Sequence, residues 1–106
     1  MSKDLQIIKK LFNRFQEFYY EFKDNEVTRL DLHNKGVETK DLELIGELTS
    51  LEVLELDSNN ITTIQDLDKL TKLEELNLSL NKITKIEGLE KLTNLQKFNL
   101  NNSKAT

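Results

Sequence analysis

Few side chains in this sequence could do chemistry. There is one histidine, His33, and no cysteine, so there is no thiol nucleophile, no disulfide framework and no cysteine-based zinc site. A single imidazole cannot make a histidine-rich metal site or a His-paired proton relay, and nothing near it activates a serine. The carboxylates are the remaining candidates. Asp31, Glu55 and Asp57 come together if the segments that carry them stack side by side. Calcium wants about six or more oxygens from a shaped loop, and these residues supply no such loop. No catalytic residue, cofactor or metal site is therefore expected, and the chain does not read as an enzyme. What clustered carboxylates can do without such help is steer a positively charged partner.

Composition narrows the field in the same direction. The 106 residues make one domain, with 37% hydrophobic and 32% charged residues. That is too apolar for a disordered chain, and no apolar run nears the roughly 20 residues of a membrane span. A formal net charge of -4 gives nucleic acid no counterion-release advantage. The first twelve residues scatter charges through their apolar positions, which a secretory signal does not do. The expected location is intracellular and cytoplasmic.

Two kinds of element must position the charged residues. Residues 1–26 read as an N-terminal amphipathic capping helix. Leu5, Ile8, Phe12, Phe15, Tyr19 and Phe22 recur three or four apart, with Leu11 and Phe18 widening the stripe. Ser2 suits the N-cap, Asp4 the first turn and Asn25 the stop. Five basic and five acidic side chains balance over this stretch, so anionic lipid would gain little.

From residue 27 the period changes to a repeat. Leu54, Leu56, Asn59, Ile61, Ile64, Leu67 and Leu70 return 22 residues later as Leu76, Leu78, Asn81, Ile83, Ile86, Leu89 and Leu92. The full copies occupy 51–72 and 73–94. Degenerate copies occupy 27–50, with two extra residues near Leu42, and 95–106. In the first copy Lys35 takes the Asn slot; in the last, Ser103 and Ala105 stand where Asn and Ile should be.

In each Leu-x-Leu the leucines point to one side of a strand and the middle residue to the other. A strand of this length cannot bury its leucines alone, but parallel copies stacked about 4.8 Å apart bury them in a column. The rest of each copy must run back along the outside. Ile64, Leu67 and Leu70, three apart, suit short 3₁₀ or helical turns there. A buried Asn59 or Asn81 can satisfy backbone groups of its own turn and of the adjacent one.

The pattern LxxLxLxxNxI, at Leu51 to Ile61 and Leu73 to Ile83, resembles that of the leucine-rich repeat family. The following IxxLxxL is similar to its 22-residue class, which includes a regulatory subunit of protein phosphatase 1, an axonemal dynein light chain and bacterial internalins. The resemblance covers residues 27–106. It implies an α/β leucine-rich repeat solenoid, with a parallel β-sheet on the concave face, short turns on the convex side and an asparagine ladder. It also implies protein partners on the concave strands.

If the leucines point inward, Arg29, Asp31, His33, Val53, Glu55, Asp57, Glu75, Asn77, Ser79, Lys97 and Asn99 face out from the sheet, with Leu80 beside them. The centre of this face is acidic. The expected function is a non-catalytic protein–protein interaction module that binds a partner with a basic segment there. The alternative is a self-associating structural module or truncated repeat fragment. It would form a homo-oligomer by stacking through an uncapped C-terminal edge, where the strand Leu95 to Leu100 has unpaired backbone groups.

Overall fold

The computed structural model describes residues 2–101. Asn102, Ser103 and Ala105 lie outside the described residues.

A helix, α1 (Lys3–Phe15), opens the fold. The Ser2 side chain accepts the Leu5 N–H at 3.2 Å, satisfying one of the free donors of the first turn. Ile7, Ile8, Leu11 and Phe15 form its buried face. The helix ends at Gln16, which takes a left-handed φ of 67°.

The helix expected over 1–26 is therefore only half right. The chain turns at Gln16 and continues as a strand, β1 (Tyr19–Lys23). Asp24 and Asn25, with φ of 52° and 67°, make a tight hairpin turn into β2 (Glu26–Asp31). Two consecutive residues with positive φ match the right-handed twist of antiparallel strands, and Asp and Asn tolerate that conformation. Phe18, Tyr20 and Phe22 alternate as a strand requires, and aromatic residues favour strands. The same residues also satisfy a three-or-four spacing, which is why the helical reading ran on.

The remaining strands are β3 (Val53–Glu55), β4 (Glu75–Asn77) and β5 (Lys97–Asn99). Together they form one sheet in the order β1-β2-β3-β4-β5. β1 runs antiparallel to β2, and every later neighbour is parallel. Leu30, Leu54, Leu76 and Phe98 stand in register on the inward side. The first two are fully buried and Leu76 nearly so, but Phe98 on the outermost strand is 41% exposed.

The helix α1 packs against the first copy and is tied to it at both ends. The Asp4 carboxylate accepts the Val27 N–H at 2.9 Å. At the other end Arg14 binds Asp41 through two nitrogens at 3.1 Å each and reaches Glu38 at 3.3 Å. The planar guanidinium suits such a paired contact.

The convex side differs from copy to copy. In the first, a 3₁₀ turn (Thr39–Asp41) runs into a short helix, α2 (Leu42–Ile45). The copies at 51–72 and 73–94, two residues shorter, use single turns closed by Leu70 N–H to Leu67 O at 3.1 Å and Leu92 N–H to Leu89 O at 3.0 Å. Gly46 lies against the backbone of the next copy at Asp66. A Cβ there would stand 1.9 Å from the Asp66 carbonyl oxygen, so no other residue fits without moving backbone.

Candidate functional site

Strand register sorts the outward residues into rows. One row runs Glu21, Arg29, Val53, Glu75, Lys97. The next runs Tyr19, Asp31, Glu55, Asn77, Asn99. Beyond the strand ends, His33, Asp57 and Ser79 follow their copies at the same spacing of two. A shallow depression of about 180 Å³ opens over β3 to β5, lined by Glu55, Glu75, Asn77, Lys97 and Asn99 with Leu54 and Leu76.

The structure thus brings the expected residues onto one sheet face. Asp31 and Glu55 are lateral neighbours, as anticipated from the repeat. Glu75 stands one row away from them, opposite Val53. Leu80 is 53% exposed and sits at φ 57°, a conformation costly for a leucine. Asn34 and Ser58 hold the equivalent left-handed positions in the earlier copies.

Several of these side chains also serve the backbone. The Asp31, Asn77 and Asn99 side chains accept N–H groups two residues on, from His33, Ser79 and Asn101, at 3.0, 3.1 and 2.9 Å. Such loops are a common use of Asp and Asn at strand ends. The Ser79 hydroxyl donates to the same Asn77 oxygen at 2.8 Å. These residues present fixed rather than free polar groups.

Charge on the face is coupled. The Arg29 guanidinium lies 3.7 Å from Glu55, and its Nε is buried without a hydrogen-bond partner among the described residues. Burial, then the neighbouring Asp31 charge, raises the Glu55 carboxyl above its ordinary value. Burial also pushes Asp31 upward, but hydrogen bonds from the His33 ring and backbone outweigh it, and Asp31 titrates below its usual range. His33 Nδ1 lies 2.7 Å from the Asp31 carboxylate, and that hydrogen bond, reinforced by the charge, raises the imidazole above 6.5.

The sign of the pH effect follows. Stability from the His33–Asp31 pair is fully present below 6.5 and is lost as pH rises through the raised His33 value. At the acid end it is lost as pH falls through the lowered Asp31 value. An NMR titration of His33 should give a midpoint above 6.5 in wild type, moving back toward 6.5 in Asp31→Asn. A wild-type midpoint at or below 6.5 would contradict the pairing.

Two outward residues escaped the sequence reading. Tyr19, 54% exposed, and Glu21 join the face through β1, and the Tyr19 hydroxyl donates to the Glu21 carboxylate. The Asp24-Asn25 pair between two alternating segments was the signal that could have found them. They matter because Tyr is a frequent binding anchor, whereas Val53 and Leu80 are not of that kind.

Asn59 and Asn81 are buried beneath the turns and bridge successive copies. The Asn59 Oδ1 accepts the Lys35 and Val37 N–H groups at 3.0 and 2.9 Å, and its Nδ2 donates to the Leu32 and Leu56 carbonyls at 3.0 and 2.9 Å. One copy on, Asn81 accepts from Ile61 at 3.0 Å and donates to Leu56 and Leu78 at 2.9 and 3.0 Å. This is the expected asparagine ladder.

Among the described residues, no group of three or more acidic or histidine side chains is arranged to hold a metal ion. No described helix is long and apolar enough to cross a membrane.

Comparison with known proteins agrees with the architecture. A leucine-rich repeat family model matches residues 25–83, more than half of the chain. A second model, for leucine-rich repeats in two copies, matches residues 71–106. No curated protein matches the chain. Such repeats generally mediate protein–protein contacts and are generally non-catalytic. With its Leu-x-Leu strands in register, its asparagine ladder and a family match over residues 25–83, this chain belongs to the leucine-rich repeat family.

Proposed function

We propose that the chain is a protein-interaction module whose concave sheet face binds a partner segment rich in lysine and arginine. The observation that carries this reading is the fixed row of side chains across β2 to β4. Asp31 and Glu55 stand side by side there, Glu75 lies one row over, and Asp57 follows just beyond β3. Backbone pairing holds their spacing, so a partner meets preset negative charge and orders little on docking. Charges of this kind act on encounter rate and specificity more than on affinity. Affinity would come from Tyr19, Val53 and Leu80, the apolar groups on or beside the same face. Leu80 supports this: an exposed leucine at φ 57° is a strained choice for the fold and a useful one for contact.

Affinity capture from cell lysate tests the reading. Wild type is compared with a Glu55→Lys, Asp57→Lys, Glu75→Lys variant of matched circular dichroism and melting behaviour. A basic partner should be recovered by wild type, released by moderate salt and lost with the variant. Equal recovery by both proteins would move the contact off the concave face.

A further inference from the structure

Among the described residues the outer edge of β1 has no strand neighbour, because β1 is the first strand of the sheet. It is also the most aromatic part of the molecule. Phe12 stacks on Phe18 with ring centres 4.6 Å apart, and Tyr20 meets Phe12 edge-on at 5.9 Å and Phe22 at 5.3 Å. Phe12, Phe18 and Tyr20 are only half-buried, and Phe22 is 37% exposed. An open aromatic edge is a template for another strand.

The sequence of this edge specifies which strand. Residues 17–23 read Glu-Phe-Tyr-Tyr-Glu-Phe-Lys, and they complement themselves when reversed about Tyr20. Antiparallel pairing with a second copy places Tyr20 opposite Tyr20, Tyr19 opposite Glu21, Phe18 opposite Phe22 and Glu17 opposite Lys23. A two-fold axis makes each of the unlike pairs twice. Aromatic pairs and opposite charges directly across a strand pair are favourable, and like charges are not. Shifting the axis to Glu21 sets Glu21 against itself. Shifting it to Phe22 runs into the Asp24-Asn25 turn and leaves three residues to pair. The opposite edge, β5, spans only Lys97–Asn99 and offers no such complement.

We propose that the chain forms a symmetric dimer by antiparallel pairing of β1 with β1 of a second copy, centred on Tyr20. The two sheets then join edge to edge, and the aromatic clusters of both copies merge beneath the junction. Tyr19 and Glu21 lie on the concave side, so the two outward faces become one continuous surface. The proposal stands independently of what binds that surface.

Sedimentation equilibrium on the full chain, from low micromolar to near-millimolar concentration, tests it. Wild type should show a monomer–dimer equilibrium. Lys23→Glu sets like charges opposite each other at both ends and should weaken the dimer about tenfold. The double variant Glu17→Lys, Lys23→Glu reverses the pair and should restore it. Both positions are exposed, and because Lys23 also faces Glu26 across the hairpin, the double variant carries the same change within the monomer and is the matched comparison for Lys23→Glu. A wild type that remains monomeric throughout overturns the proposal and leaves the edge to a foreign strand. So does a dimer indifferent to both variants, or one weakened instead by Lys97→Glu on β5.

Discussion

Leu54→Ala should lower the unfolding free energy by about 2–5 kcal/mol, read as a fall in the denaturant midpoint with little change in slope. Leu54 is fully buried and stands in register between Leu30 and Leu76, the centre of the inward column. Removing its side chain loses transfer free energy and leaves a void that rigid parallel strands on both sides can close only in part. Each copy contacts only its neighbours, so a central loss uncouples the copies on either side. Phe98 gives the internal contrast. It occupies the same column, yet at 41% exposure its replacement by Ala should cost clearly less. Equal losses at the two positions would mean that the column is not the core.

Asn59→Ala should cost about 3 kcal/mol, near the top of the range for stranding buried polar groups. The amide satisfies the Val37 N–H and the Leu32 and Leu56 carbonyls, all within the buried part of the turn. Alanine strands the Val37 N–H and the Leu32 carbonyl, while the Leu56 carbonyl keeps its bond from Asn81. Asn60 is exposed, so Asn60→Ala serves as the matched control. Urea melts of the two variants should differ by most of that figure. A near-neutral Asn59→Ala would remove the ladder from the account of stability.

The repeats were legible in the sequence because burial there is set by strict spacing. Leu54 and Leu76, or Asn59 and Asn81, occupy equivalent places 22 residues apart, and the equivalence survives folding. The segment after Phe15 was not legible in the same way. Phe15, Phe18, Tyr19 and Phe22 satisfy a helical period, while Phe18, Tyr20 and Phe22 satisfy an extended one. The Asp24-Asn25 turn decides between them, since two positive φ angles favour a hairpin and not a helix end. Misplacing that strand hid Tyr19 and Glu21 from the concave face. It also hid the aromatic edge altogether. The structural duties of Asp31, Asn77 and Asn99 were hidden for another reason: a side chain on a sheet face can bond its own backbone without altering any pattern of burial.

The inward column has different surroundings at the first and last described strands of the parallel array. At the first copy, α1 supplies Ile7, Ile8, Leu11 and Phe15 as a lid, and Arg14 and Asp4 fix its position. At β5 the inward column ends in a phenylalanine with no strand beyond it among the described residues.

The most direct test of the central claim is amide shift mapping on the isotopically labelled chain. The basic segment recovered by capture is titrated in at low salt. Shifts should concentrate on Tyr19, Asp31, Val53, Glu55, Glu75, Asn77 and Leu80. Shifts confined to α1 and to the convex turns around Glu38 and Leu67, with the strand rows silent, would contradict a concave docking face.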